Sequence, residues 1–109
     1  MSVRYMRVEW LHDGADDPIV LYSEITNEWE TRKVDVFRDG RMEYASQKIG
    51  MGTTFLGLAA IPPIAEIEED SAFLPALISA DRFEEIWYLA THKSISDPRR
   101  SAVEVNPRY

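Results

Sequence analysis

An Asp-Gly pair between two β-rich runs constrains the fold of this chain more than any other feature. The pair is Asp39-Gly40, within the stretch WETRKVDVFRDGRMEYA at residues 29–45. Asp-Gly is typical of the tight turn of a β-hairpin, because a type I′ turn needs positive φ at both central residues and Gly reaches that region without steric cost. The pair therefore predicts two antiparallel strands, at residues 29–38 and 41–47.

Two more strands are predicted before this hairpin. Residues 2–12 alternate, with Met6, Val8 and Trp10 on one side, which is typical of a half-buried strand. Residues 18–27, PIVLYSEITN, alternate in the same way. Because the links between successive strands are short, and parallel neighbours need long crossovers, the four strands are predicted to form an antiparallel meander.

The second half of the chain predicts two helices. Ser79 is a good N-cap, and the apolar residues that follow recur at helical spacing over residues 79–92. This apolar stripe consists of Phe83, Ile86, Trp87 and Ala90. Pro63 followed by acidic residues predicts a short helix at residues 63–70. The run at 74–78, LPALI, is compatible with an added strand or with a packed loop, and its proline argues against a central strand.

These elements predict an α+β fold. Its core is a four-stranded antiparallel meander, with the long C-terminal helix and the short helix packed on one face. The length of 109 residues fits one domain, which we place at residues 1–92. Residues 93–109 contain two prolines and two adjacent arginines, and they are predicted to form a tail. The glycine-rich run at 48–57 is predicted to be a loop.

Composition excludes several classes of protein. The chain has no cysteine, so disulfides, thiolate metal sites and a cysteine nucleophile are excluded. It has no run of about 18 apolar residues and no apolar signal-peptide region at its start, which predicts a cytoplasmic protein that does not span a membrane. The net charge of −7 disfavours non-specific binding to nucleic acid and favours a basic protein partner.

No catalytic, metal or cofactor motif is found. His12 lies beside Asp13, but the sequence offers no nucleophile at a spacing that supports a serine–histidine–acid site. The aspartates of the loop at 13–18 lack the longer ligand set of a calcium-binding loop. Glycine fingerprints for dinucleotides and the phosphate-loop lysine are absent. We therefore predict no metal and no cofactor, and an enzyme is the less favoured class.

A polar cluster on the sheet supplies the candidate binding residues. Alternation places Tyr22 and Glu24 on one side of the second strand, and the neighbouring strand brings Arg32 within reach of Glu24. Such a cluster is compatible with an ordinary cross-strand ion pair or with a small polar pocket. The full set of binding candidates is Tyr22, Glu24, Trp29, Arg32 and Tyr44.

Several runs of the chain resemble a family of small bacterial proteins that carry a domain of unknown function. The runs are WLH at 10–12, PIVLYSEI at 18–25, WExRKVxVFxDGxxxYA at 29–45 and ISAxxFExIW at 78–87, so that the resemblance covers residues 3–90. The small single-domain members of this family are similar to immunity proteins that are found beside bacterial toxin genes. The resemblance implies an immunity-type function and transfers no functional residue.

The function predicted first is that of a small acidic protein-binding module, an immunity protein that neutralises a basic toxin domain. One alternative is a small-ligand-binding protein or enzyme with a polar pocket on the sheet. Another is an anti-defence or regulatory protein that mimics nucleic acid, although basic residues interleave the acidic ones and so disfavour this alternative. The oligomeric state is not predicted.

Overall fold

The chain forms a five-stranded antiparallel sheet with one long and one short helix. A computed structural model describes residues 2–47, 56–57 and 59–93. The strands are β1 Val3–Trp10, β2 Val20–Thr26, β3 Trp29–Val36, β4 Met42–Ser46 and β5 Phe73–Ile78, and the helices are α1 Ile64–Ile67 and α2 Ala80–Lys93. The sheet order is β4-β3-β2-β1-β5, with every pair antiparallel.

The prediction of four strands is wrong, because Phe73–Ile78 pairs with the free edge of β1. Leu11 N–H donates to the carbonyl of Ala72 just before β5, at 2.8 Å. Hydrogen-bonded positions alternate along an antiparallel pair, so the backbone nitrogen of Pro75 points away from β1. A proline at this outer position removes no hydrogen bond from the ladder, which is why an edge strand tolerates it.

The two helices pack on opposite faces of the sheet, so the prediction that both cover one face is also wrong. The core under α2 is built from Tyr22, Val34, Met42, Phe83, Ile86 and Ala90. The core on the other face is built from Met6, Val8 and Ile25, with Ile64 and Ile67 of α1 packed against it. Neighbouring residues of a strand point to opposite faces, and both faces of this sheet carry enough apolar side chains to bury. We call the side that α2 covers the α2 face.

The hairpin turns differ from the sequence prediction. Among the non-glycine residues that the structure describes, only Asn27 (φ 51°) and Glu28 (φ 77°) have positive φ. These two residues join β2 to β3 directly, with Thr26 opposite Trp29, so they form the type I′ turn. The prediction of a type I′ turn at Asp39-Gly40 is wrong, since Gly40 alone has positive φ there, at 91°.

The β3–β4 loop is one residue longer than the two-residue loop of a type I′ hairpin. Gly40 N–H donates to the carbonyl of Phe37 at 2.9 Å, and Phe37 N–H donates to the carbonyl of Arg41 at 2.9 Å. This is a type I turn followed by a glycine in the left-handed region, the usual form of a three-residue hairpin loop. The predicted hairpin therefore exists with a different turn.

Helix α2 begins where its cap predicts. The hydroxyl of Ser79 accepts a hydrogen bond from Arg82 N–H at 3.0 Å, which is the geometry of an N-cap side chain. The short helix α1 extends over fewer residues than predicted and begins after Pro63. None of the helices in the described ranges is long and apolar enough to cross a membrane. Residues 48–55 of the predicted loop and residues 94–109 of the predicted tail lie outside the described residues.

Candidate functional site

The predicted Glu24–Arg32 pair forms on the α2 face of the sheet. The two residues lie opposite each other on β2 and β3. Arg32 Nε donates to Glu24 Oε1 at 3.0 Å, and Arg32 Nη2 donates to Glu24 Oε2 at 2.7 Å. Both side chains are largely shielded from solvent, with exposed fractions of 21% for Arg32 and 15% for Glu24. A bidentate contact of this kind gives both geometric specificity and a strong hydrogen-bonded ion pair.

Helix α2 adds a second carboxylate to Arg32. Nη1 donates to Glu84 Oε1 at 3.2 Å, and Nη2 donates to Glu84 Oε2 at 2.5 Å. The guanidinium carbon also lies 5.0 Å from the ring centroids of Phe83 and of Trp87, a distance typical of a cation–π contact. One arginine of the sheet therefore contacts three side chains of α2, one through charge and two through their ring faces.

A bulge in β3 completes the cluster. The register between β2 and β3 shifts between Glu24 and Ile25, which leaves Thr31 as an extra residue on β3. The hydroxyl of Thr31 lies 2.9 Å from Glu24 Oε1 and 3.2 Å from the hydroxyl of Thr26. The bulge thus turns Thr31 toward the carboxylate and gives Glu24 a further donor.

The charged network shifts the ionisation of its members. Hydrogen bonds from Arg32 hold the pKa of the Glu24 carboxyl below its ordinary value, against the opposing effect of burial. Hydrogen bonds to Glu24 raise the pKa of the Arg32 guanidinium, although burial acts against this shift too. Burial and the nearby Glu24 carboxylate raise the pKa of the Tyr5 hydroxyl. The network therefore keeps Glu24 and Arg32 charged and Tyr5 neutral.

The two predicted tyrosines lie on the α2 face, at the next position along the strands from the Glu24–Arg32 pair. Both pack in the core beneath α2. Tyr22 is buried beneath α2, and its hydroxyl accepts a hydrogen bond from Arg7 Nε at 3.4 Å. Tyr44 is half-buried on β4, with its ring edge-on to Trp87 at a centroid distance of 5.5 Å and an angle of 77°. The sheet thus brings Tyr22, Glu24, Arg32 and Tyr44 to one face, as alternation predicts, and α2 covers them.

Trp29 is different, because it is exposed. It lies at the start of β3 opposite Thr26, and 52% of the residue is accessible to solvent. On the other side of β2, Val3 of β1 pairs with Thr26, and 46% of Val3 is accessible. Directly paired residues point to the same face, so Val3, Thr26 and Trp29 form one row at the end of the α2 face.

The sequence did not single out Tyr5, Thr31, Phe83, Glu84 and Trp87 as members of the cluster. Glu84 lies 52 residues from Arg32, and no local pattern links the two positions. Only the direction in which α2 crosses the sheet brings Glu84 to Arg32. Thr31 was missed because a bulge changes which residues share a face, and alternation alone does not reveal a bulge.

The contacts of this cluster stabilise the fold more than they supply free groups for a chemical reaction. Four hydrogen bonds engage Nε and both terminal nitrogens of Arg32, so few of its donors remain for a ligand. His12 is engaged as well, since its Nε2 lies 2.8 Å from the carbonyl of Pro18 and its Nδ1 accepts from Gly14 N–H at 2.9 Å. Within the ranges that the structure describes, no group of three or more His, Asp or Glu side chains is placed to hold a metal ion.

Comparison with protein-family models places most of the chain in a family. The family model described as "Domain of unknown function (DUF6881)" matches residues 4–105, which reaches further along the chain than the resemblance at 3–90. Searches of curated proteins and of solved structures give no match.

Proposed function

The chain belongs to the family of the domain of unknown function DUF6881, and from its surface we propose that it is a protein-binding module. The observation that carries the proposal is the exposed row at the end of the α2 face, where Trp29 and Val3 flank Thr26. We call Val3, Thr26 and Trp29 the Trp29 row. Tryptophan is enriched among the residues that dominate binding energy at protein interfaces, and burial of its ring removes a large apolar area from water.

Hydrogen bonds beside the Trp29 row hold the backbone there in place. Asn27 N–H donates to the carbonyl of Ser2 at 3.0 Å, and Ser2 N–H donates to the side-chain oxygen of Asn27 at 3.1 Å. These bonds tie the start of β1 to the β2–β3 turn beside Trp29. A rigid support favours binding, because less conformational entropy is lost when the partner docks.

The charge of the chain supports a basic partner. The net charge is −7, and α2 presents Asp81 and Glu84 at exposed positions near the same face. An acidic surface accelerates encounter with a basic protein and opposes encounter with nucleic acid. We therefore extend the proposal to an immunity-type protein that acts in the cytoplasm and covers the basic surface of a bacterial toxin domain.

The alternative of a ligand pocket on the sheet gains less support. The Glu24–Arg32 pair lies beneath α2, and Arg32 already donates to two carboxylates and faces two rings. A ligand at this pair would have to displace Glu84 or the helix itself. The geometry favours a structural role for the pair, and ligand binding there stays a prediction.

Co-expression tests the proposal. The open reading frame adjacent to the gene is expressed in a bacterial host with and without this chain, and growth is followed. We expect the chain to restore growth, and we expect Trp29→Ala to weaken rescue while its melting temperature stays near that of the wild type. The matched control is Leu77→Ala, because Leu77 is 60% exposed but lies on the opposite face of the sheet.

A purified pair then measures affinity by calorimetry. Loss of an interface tryptophan of this kind costs about 2 kcal/mol or more, roughly thirtyfold in affinity. If Trp29→Ala binds as tightly as the wild type, the Trp29 row is not the interface. If growth is unaffected by the adjacent product and no protein forms a stoichiometric complex with the purified chain, the protein-binding proposal itself is wrong.

A further inference from the structure

We infer that the surface formed by Trp29 and Glu84 receives a cationic side chain of the partner, a guanidinium or an ammonium group. We call it the Trp29–Glu84 surface. The inference rests on the proposed function and deepens it, because it states which chemical group the Trp29 row recognises.

The sheet register relates Trp29 to Arg32, the residue that binds Glu84. Arg32 lies opposite Glu24, and Trp29 lies opposite Thr26, two residues further along β2. Two residues of a strand span about 7 Å, and both positions point to the α2 face. Arg32 in turn holds Glu84 through two hydrogen bonds. Trp29 therefore occupies the position next to Arg32 on the α2 face, and Arg32 fixes the Glu84 carboxylate.

The charges at this surface do not cancel. One guanidinium, that of Arg32, contacts the two carboxylates of Glu24 and Glu84, which leaves the three groups with a net negative charge. The side chain of Glu24 is only 15% exposed, whereas that of Glu84 is 52% exposed. The excess negative charge is thus accessible at Glu84. Each carboxylate oxygen has two acceptor positions, so bonds to Arg32 leave capacity for a second donor.

A cationic group is attracted by both residues of this surface, the indole ring of Trp29 and the carboxylate of Glu84. The face of an indole ring carries a negative partial charge and attracts a guanidinium or ammonium group. A carboxylate beside the ring attracts the same group and orients it by hydrogen bonds. An anion would be repelled by Glu84, and a purely apolar side chain would leave the accessible charge without a partner. The surface therefore distinguishes arginine and lysine from other side chains.

Nuclear magnetic resonance tests this with a defined probe. N-acetyl-L-arginine amide is added to the ¹⁵N-labelled full chain at constant ionic strength, and the indole N–H signals are followed. The signal of Trp29 is assigned with Trp29→Phe. One exposed cation–π contact and one exposed ion pair predict a dissociation constant of roughly 30–300 mM, so we expect a shift of the Trp29 signal that grows with probe concentration and approaches saturation. N-acetyl-L-norleucine amide, which has no charge, should bind at least about threefold more weakly.

A matched pair of variants locates the carboxylate. Glu84→Gln removes the charge at the surface and should weaken binding of the arginine probe by about threefold or more. Glu85→Gln removes the same charge one residue further along α2, where the carboxylate pairs with Arg82 in an exposed ion pair, and should leave probe binding unchanged. Equal binding of the neutral and cationic probes, or equal effects of the two variants, would overturn the inference.

The same variants separate this inference from the proposed function. If a partner complex depends on Trp29 but tolerates Glu84→Gln without loss, the row is an interface and its preference for a cation is wrong. If the complex depends on neither residue, this inference is wrong and the Trp29 row is not the interface, whereas the chain is still a protein-binding module. If the complex weakens with Trp29→Ala and with Glu84→Gln but not with Glu85→Gln, both are supported.

Discussion

Arg32 of β3 and Glu84 of α2 make the bidentate contact that joins the sheet to its covering helix. The two residues are 52 positions apart, and both terminal nitrogens of the guanidinium donate to the carboxylate. Because Arg32 also holds Glu24 of β2, the contact fixes α2 against two strands at once. The core beneath α2 supplies apolar burial, which does not depend on orientation. The hydrogen bonds of this network do depend on orientation, so they specify the direction in which α2 crosses the sheet.

The first prediction removes the cation of this network. Arg32→Leu should lower the free energy of unfolding by about 2–3 kcal/mol, because Glu24 and Glu84 then face each other without a cation and partly shielded from water. Denaturant unfolding measures the change. Arg82→Leu is the matched control, since Arg82 pairs with Glu85 at the surface, and such pairs contribute about 0–1 kcal/mol. Equal costs for the two variants would show that the Arg32 network does not stabilise the fold.

The second prediction concerns pH. The pKa of Glu24 is lowered in the folded protein, so its carboxylate adds stability above the ordinary value of about 4.3, and this contribution is lost as the pH falls through the lower folded value. The stability difference between wild type and Glu24→Gln should be constant from about pH 6 to 8 and should shrink below about pH 4. Urea unfolding across this range measures it. A difference that stays constant down to about pH 3 would contradict the assignment.

The third prediction concerns the core beneath α2. Phe83 is fully buried, and its ring centroid lies 5.2 Å from that of Tyr5. Phe83→Ala should cost about 3–5 kcal/mol, because it creates a cavity between the helix and the sheet. Tyr88→Ala, on the exposed side of α2 with 60% of the residue accessible, should change stability by no more than about 0.5 kcal/mol. Thermal unfolding of the two variants distinguishes the two sides of the helix.

The fourth prediction uses the two hairpin turns, which should respond in opposite directions. Glu28→Gly should stabilise the protein by about 0.5–1 kcal/mol, since Glu28 has φ 77° and glycine adopts that region without strain. Gly40→Val should destabilise it by about 1 kcal/mol or more, since Gly40 has φ 91° and a β-branched residue resists it. A Cβ atom at Gly40 would meet no other atom within 4 Å, so the cost there is conformational. A Glu28→Gly variant that melts below the wild type would contradict the turn assignment.

Local patterns predicted much of the sheet and the long helix. Alternation located β1 to β4, the short links predicted their meander order, and Ser79 predicted the start of α2. The Glu24–Arg32 pair also followed from alternation and neighbouring strands. The type I′ turn predicted at Asp39-Gly40 was wrong, and the one at Asn27-Glu28 was not predicted. Asn-Glu is a weaker turn signal than Asp-Gly, and the register between strands decides how many residues a turn must contain.

The sequence by itself determined those features that depend on neighbouring residues: four of the strands, the amphipathic helix and its cap, together with the acidic net charge. The tertiary structure decided the rest. Pro75 is compatible with a strand only because β5 lies at the sheet edge with the proline nitrogen pointing outward. Glu84 reaches Arg32 only through the packing of α2 on the sheet, and the tertiary structure leaves Trp29 52% exposed. Each of these depends on contacts between residues far apart in the chain, which no local periodicity encodes.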